Sequence, residues 1–111
     1  MRMDLTLCYA AYDVDDGEEA VYFKKMPSDF ISRMMRALLC QRVFRSYEIR
    51  KKEEEYRHGF INTGFMVKLG GIDEKKVPLP FLKRMMQEIA FAMGYDLRFV
   101  SYNKLINLKC R

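Results

Sequence analysis

A twelve-residue segment occurs twice in this chain and constrains its architecture more than any other feature. KKMPSDFISRMM at residues 24–35 returns as KKVPLPFLKRMM at residues 75–86, with seven identical residues at a constant offset of 51. Each copy has a proline where a helix can begin, followed by Phe and Met at three- and four-residue steps. We therefore interpret the two copies as the starts of two amphipathic helices, and favour an internal duplication over convergence.

Apolar side chains continue each copy with helical spacing. The first stripe predicts a helix over residues 27–45, and the second predicts a helix from Pro78 to about Gly94. A stripe of this kind must be buried against another layer of structure. Both helices are accordingly predicted to cover one face of a sheet.

The remaining segments supply the strands of that sheet. Residues 3–12 are rich in β-forming side chains and are followed by Asp16-Gly17, a tight-turn signal, and by a return strand over residues 20–25. Residues 60–69 and 96–108 have strand patterns on either side of the second helix. The first 25 residues are thus predicted to form a hairpin.

Residues 46–57 allow two interpretations. Arg50 and Glu54, like Lys51 and Glu55, are four residues apart, which suits an exposed helix. The corresponding place in the second half is instead a predicted strand, and charged side chains are common on edge strands. We prefer a strand from Tyr47 to about Lys52. An exposed helix remains the alternative.

The predicted fold is a single α+β domain with a ferredoxin-like split βαβ arrangement. Two β-α-β halves, about 1–57 and 58–111, form an antiparallel sheet with two helices on one face, and the N-terminal hairpin adds an extra strand. The other face of the sheet is then left for solvent or a partner. Cys8, Ala10, Val100 and Tyr102 are predicted to lie on that open face.

Several classes of protein are disfavoured by what the chain lacks. Its three cysteines, Cys8, Cys40 and Cys110, are far apart and form no CxxC pair, unlike a disulfide-stapled secreted domain. The N-terminal apolar run is short and interrupted by Asp4, so it does not resemble a signal peptide. No apolar stretch has the length of a membrane span. We expect a cytoplasmic protein without a membrane partner.

Catalytic and cofactor sites are not predicted. The one histidine, His58, has no cysteine or carboxylate cluster at ligand spacing, so it indicates neither a zinc site nor a triad. The glycines fit neither a phosphate loop nor a dinucleotide fingerprint. We therefore expect a non-enzymatic protein that uses no metal and no cofactor.

An acidic run between residues 13 and 19 is the one exception worth weighing. Asp13 is predicted to follow the first strand directly, and YDVDD resembles a strand ending of ferredoxin-like nucleases of the CRISPR-associated Cas2 kind, which place a metal-binding Asp there. That resemblance implies a metal-dependent nuclease. The preferred interpretation is a solvated turn.

The charge distribution favours an anionic partner for the body of the chain. Residues 1–19 carry Arg2 against six carboxylates, a balance of −5, and residues 20–111 carry a balance of +10. TGFMVKL, residues 63–69, resembles in part the central strand of RNA recognition motifs. A nucleic-acid interface for RNA or DNA is thus one hypothesis. Its candidate residues on the open face and basic rim are Tyr12, Arg98, Tyr102, Lys104, Arg50, Lys51, Lys52 and Arg57.

The leading hypothesis is a small interaction or regulatory module that binds a second copy of itself or another protein. Phe91 falls on the same helical face as Arg84, away from the predicted buried stripe, and Cys40 has the equivalent place in the first helix. Exposed apolar side chains of this kind are typical of contact surfaces. Phe91 and Cys40 are therefore the candidate residues of a homodimer interface.

Overall fold

The computed structural model describes residues 4–15, 17–55 and 61–108 of the chain. Over these residues the protein is a compact α+β structure with one five-stranded sheet and three helices. The elements in chain order are β1 Thr6–Asp15, β2 Glu18–Lys24, α1 Ser28–Cys40, β3 Ser46–Glu55, β4 Ile61–Gly70, α2 Leu79–Ala92, β5 Tyr95–Phe99 and α3 Tyr102–Ile106.

The strands lie in the order β3-β4-β2-β1-β5. β1 and β2 form the predicted hairpin, with Gly17 at φ 75°, and the β2–β4 and β3–β4 pairs are also antiparallel. β5 pairs with β1 in parallel. This order differs from that of a ferredoxin-like sheet, because β1 lies between β2 and β5. The α+β class is confirmed, and the ferredoxin-like topology is not.

Both copies of the repeat begin a helix, as predicted. Pro27 and Pro78 are the N-cap residues of α1 and α2, where a missing N–H costs no hydrogen bond. Helix α1 ends at Cys40 and not at residue 45, because Arg42 adopts a left-handed conformation with φ 59°. The buried side chains of the two helices are Ile31, Met34, Met35 and Leu38 in α1 and Leu82, Met86 and Ala90 in α2.

One core lies between these two helices and the sheet. Val21 and Phe23 of β2 pair with Val67 and Phe65 of β4, and these residues contribute to the apolar cluster beneath the helices. Cys8 and Ala10 of β1 belong to the same cluster and are fully buried. Their predicted place on the open face was wrong, because the register of β1 directs even-numbered residues toward the helices.

The C-terminal part of the chain does not continue as a strand to residue 108. β5 ends at Phe99, and the short helix α3 follows, with the Ser101 hydroxyl accepting a hydrogen bond from the Lys104 amide at 3.3 Å. Helix α3 lies against the second face of the sheet. Leu105 is only 2% exposed and Ala11 of β1 is fully buried. The face predicted to be open is therefore partly covered by the protein itself.

Residues 46–55 form an edge strand, which confirms the preferred interpretation of this segment. β3 pairs with β4 over its whole length, from Ser46 opposite Gly70 to Glu55 opposite Ile61. Tyr47 and Ile49 pack against the core beneath the helices. Arg50 and Lys51, whose spacing to glutamates four residues later suggested a helix, are exposed on this edge strand.

Candidate functional site

The residues predicted to contact nucleic acid do not form one surface. Tyr12 pairs with Val21 and packs against the core on the helix side of the sheet. Its hydroxyl donates to the Glu19 carboxylate, and burial followed by that hydrogen bond raises the pKa of Tyr12 above its ordinary value. Lys51 pairs with Phe65 and lies on the same side. Neither residue shares a face with Tyr102.

Arg98 and Arg50 lie at opposite edges of the sheet, on β5 and β3. Three strands separate them, a spacing of about 19 Å at the usual distance between strands. Each guanidinium also pairs with a carboxylate two residues away on its own strand, at 3.1 Å to Asp96 and at 2.9 Å to Glu48. Arg57, the last residue of the predicted basic rim, lies outside the described residues, as do His58 and Cys110.

Lys52 and Tyr102 are in contact with each other, and this contact helps to hold the C-terminal segment against the sheet. The ring of Tyr102 packs against that of Tyr22 with centroids 4.7 Å apart, and the Lys52 ammonium lies 4.9 Å from the Tyr22 centroid. Lys24 donates to the Leu108 carbonyl at 3.5 Å nearby. These contacts attach the C-terminal segment to the sheet, and Tyr102 is engaged there. Lys104 is exposed on α3.

Asp13 lies within a strand and does not follow one. β1 extends to Asp15, and Asp13 pairs with Ala20 inside the hairpin. Over the described ranges, no three His, Cys, Asp or Glu side chains converge into a group that could hold a metal ion. The strand ending on which the nuclease resemblance depended is therefore not at Asp13.

A different surface carries exposed apolar side chains, on the side of α2 that faces away from the sheet. Phe81 and Phe91 are 53% and 54% exposed, although both are large aromatic residues that are usually buried. Arg84 and Glu88 lie between them on the same side of the helix. We call these four residues the outer face of α2. It extends about 15 Å along the helix axis.

The outer side of α1 has a different character. Arg33, Arg36 and Cys40 recur there at helical spacing and are all exposed. Phe30, the counterpart of Phe81, is half-buried against the ring of Tyr95 at a centroid distance of 5.0 Å. The two copies of the repeat thus bury equivalent stripes but present different outer surfaces, basic on α1 and partly aromatic on α2.

The predicted interface residues Phe91 and Cys40 are both exposed, on α2 and α1. Sequence reasoning missed Phe81, which it placed in the buried stripe. The available signal was its helical position: around the helix axis, Phe81 lies only about 20° from Glu88, whereas Leu82 lies about 120° from Glu88. Phe81 therefore belongs with the charged side of α2.

Comparison with protein-family models, curated proteins and solved structures finds no match to this chain. None of the helices in the described ranges has the length and apolar character needed to cross a membrane.

Proposed function

We propose that this protein is a non-enzymatic interaction module that forms a homodimer through the outer face of α2. The observation that supports this is the symmetry of that face. Phe81 and Phe91 lie five positions before and after Met86, and Arg84 and Glu88 lie two positions before and after it. An isologous dimer requires a patch that is complementary to itself after a two-fold rotation.

Antiparallel pairing of two α2 helices satisfies that requirement. With the two-fold axis at the level of Met86, Phe81 of one copy meets Phe91 of the other, and Arg84 meets Glu88. The four phenylalanines then lose contact with water, which is the main favourable contribution. The two ion pairs add little free energy at an exposed rim but select the antiparallel orientation, since parallel pairing would place like charges together.

The outer side of α1 supports the choice of α2 as the contact. Arg33 and Arg36 of one copy would approach the same residues of a second copy in a two-fold contact through α1, and like charges in contact are unfavourable. Cys40, at the end of that stripe, is therefore peripheral in this arrangement. Phe91 is central to it.

A charge swap tests the arrangement directly. Arg84→Glu should weaken the dimer by placing two carboxylates together at each end, and Glu88→Arg should weaken it by placing two guanidinium groups together. The double variant should restore dimerisation. Arg36→Glu, a matched change on α1, should leave it intact. Sedimentation velocity over a range of protein concentrations measures each dissociation constant.

Two results would contradict the proposal. One is a wild-type protein that remains monomeric at all accessible concentrations. The other is a dimer that neither single charge reversal weakens, because its contact would then lie elsewhere on the surface. Phe91→Ser provides a second measurement, since removing the ring should dissociate the dimer without altering the charges.

We also propose that the sheet is a ferredoxin-like arrangement with one strand inserted. Without β1, the remaining strands would have the order β3-β4-β2-β5, with β2-α1-β3 and β4-α2-β5 as two interlocking halves. The repeat at residues 24–35 and 75–86 falls at the same place in each half. This agreement supports an origin by duplication, with β1 as an addition.

A further inference from the structure

A cleft lies at the end of the molecule where α1 finishes, β3 begins and the segment after β4 turns toward α2. Its volume is about 890 Å³, within the range of small-molecule sites. The cleft is separate from the outer face of α2. Its apolar floor consists of Leu39, Phe44 and Ile72.

Four cationic side chains surround this floor. Arg42 and Arg45 come from the α1–β3 connection, and Lys75 and Lys76 come from the second copy of the repeat. Within the described part of the chain, none of the four forms an ion pair. The cations lining the cleft outnumber its carboxylates by two. The resulting field attracts an anion.

The two carboxylates of the cleft have other roles. Asp73 accepts hydrogen bonds from the Lys75 amide through its side chain, at 3.1 Å, and from the Lys76 and Val77 amides through its carbonyl. Glu74 lies close enough to Tyr12 to contribute to the raised pKa of that hydroxyl. Asp73 therefore organises the turn that presents the two lysines.

The backbone holds both arginines at this place by unusual means. Arg42 has φ 59°, a conformation that few residues other than glycine adopt and that costs about 1 kcal/mol or more. Gly71 has φ 74°, and a Cβ there would lie 2.8–2.9 Å from the side-chain carbons of Arg45. The Arg45 stem consequently packs directly over Gly71, and the Arg45 amide donates to the Gly70 carbonyl at 2.8 Å.

We propose that this cleft binds a small phosphate-bearing organic anion of the nucleotide class. Guanidinium and ammonium groups are the usual phosphate donors in proteins, and the guanidinium fork matches two phosphate oxygens at once. The apolar floor accommodates the uncharged part of the same ligand. The left-handed backbone at Arg42 and the packing of the Arg45 stem over Gly71 fix where these two side chains leave the backbone, which lowers the entropy cost of binding.

Calorimetry and amide chemical shifts with three probes test the assignment, using the full chain in EDTA. Adenosine triphosphate should bind and shift the amides of the cleft, adenosine should bind at least about tenfold more weakly, and inorganic pyrophosphate should lie between them. Lys75→Gln combined with Lys76→Gln should weaken nucleotide binding by about tenfold or more, since two charge-assisted contacts are lost.

The matched control is Arg33→Gln combined with Arg36→Gln, which removes the same charge from the exposed side of α1. It should leave nucleotide affinity unchanged. Equal weakening by both double variants, or no binding by wild-type protein, would overturn the assignment. So would pyrophosphate that binds as tightly as the nucleotide, because the apolar floor would then have no role.

Two further measurements keep the result interpretable. The thermal midpoints of all variants should stay close to that of the wild type, because the substituted side chains are exposed and form no ion pair with the residues that the structure describes. The Arg33 guanidinium lies 5.8 Å from the Phe30 ring centroid, a contact that contributes little at an exposed site. A single-stranded RNA oligonucleotide provides a further comparison. If the RNA competes with adenosine triphosphate and has the higher affinity, the proposal of a small ligand is overturned in favour of a polymer. Nucleotide binding to the cleft does not depend on the oligomeric state, because the cleft is separate from the outer face of α2. If no nucleotide binds, the proposed dimer is therefore unaffected.

Discussion

Cys8 lies in the part of β1 that pairs with β5, the shortest strand pairing of the sheet, and its side chain belongs to the core. Its side chain is fully buried beneath the helices, and its thiol donates to the Asp96 carbonyl at 3.7 Å across the β1–β5 pair. Burial, and secondarily the Asp96 carboxylate, raise the pKa of the thiol from 9.0 to about 12. The thiol therefore stays protonated at neutral pH and does not act as a nucleophile.

This shift makes stability fall in alkaline solution. The folded state keeps its proton between pH 9 and about 12, whereas the unfolded chain loses it above pH 9, so the free energy of unfolding decreases as the pH rises through this window. Urea unfolding at pH 8, 9 and 10 should show that decrease. In Cys8→Ala the decrease should be smaller, while Cys40→Ala, a change at an exposed thiol, should retain the wild-type slope. Identical slopes in all three proteins would exclude the contribution of Cys8.

At the scale of the elements, α3 is the piece that most changes the surface of the molecule. It has only five residues, too few to be stable as an isolated helix. Its docking depends on the buried Leu105 and on the contact between the rings of Tyr102 and Tyr22. The sheet is consequently covered on both faces near β1 and β2.

Removing the Leu105 side chain should detach this helix. Leu105→Ala is expected to cost about 2 kcal/mol of unfolding free energy, since a buried leucine loses most of its packing. The near-ultraviolet circular dichroism of the tyrosines should weaken at the same time, because Tyr102 leaves Tyr22. Asn103→Ala, an exposed change in the same helix, is the control and should leave both signals near wild type. A stable protein with unaltered tyrosine signal would show that α3 is held by other contacts.

The sequence predicted the elements unequally, for physical reasons. α1 and α2 were predictable because each has a proline start and a long apolar stripe. α3 was not predicted, because Leu97 and Phe99 begin an alternating pattern that is typical of a strand. The available signal for a helix was Ser101, a residue type that favours the N-cap position. The two faces of β1 were assigned wrongly because the strand is buried on both sides. Ala10 and Ala11 are both fully buried on opposite faces, so alternation of apolar and polar residues did not distinguish the faces.

For the whole molecule, the order of strands was beyond the reach of sequence patterns. Alternation of apolar and polar residues indicates which face of the sheet a side chain occupies. It does not indicate which strands are neighbours in the sheet. The insertion of β1 between β2 and β5 leaves no local trace in composition or spacing. The same limit applies to the cleft, whose two pairs of cations come from connections that only the fold brings together.

A dimer through α2 should make thermal stability depend on protein concentration. Association stabilises the folded state by mass action, so the Tm of the wild type should rise as concentration is increased about a hundredfold. The Tm of Phe91→Ser should be lower at high concentration and should not vary. Cys40→Ser, a change at the equivalent place on α1, should keep the wild-type dependence. Scanning calorimetry measures all three, and a concentration-independent wild-type Tm would count against association.

Synthesis on the ribosome gives the parallel pairing of β1 with β5 a further effect. Thr6 emerges early and must wait for its partner Tyr95, which follows only after three other strands and both long helices have been made. Until then the outer edge of β1 carries unpaired backbone groups, on which strands of other nascent chains can assemble. A chaperone that shields this edge should therefore increase the yield of folded protein more than one acting on the completed chain.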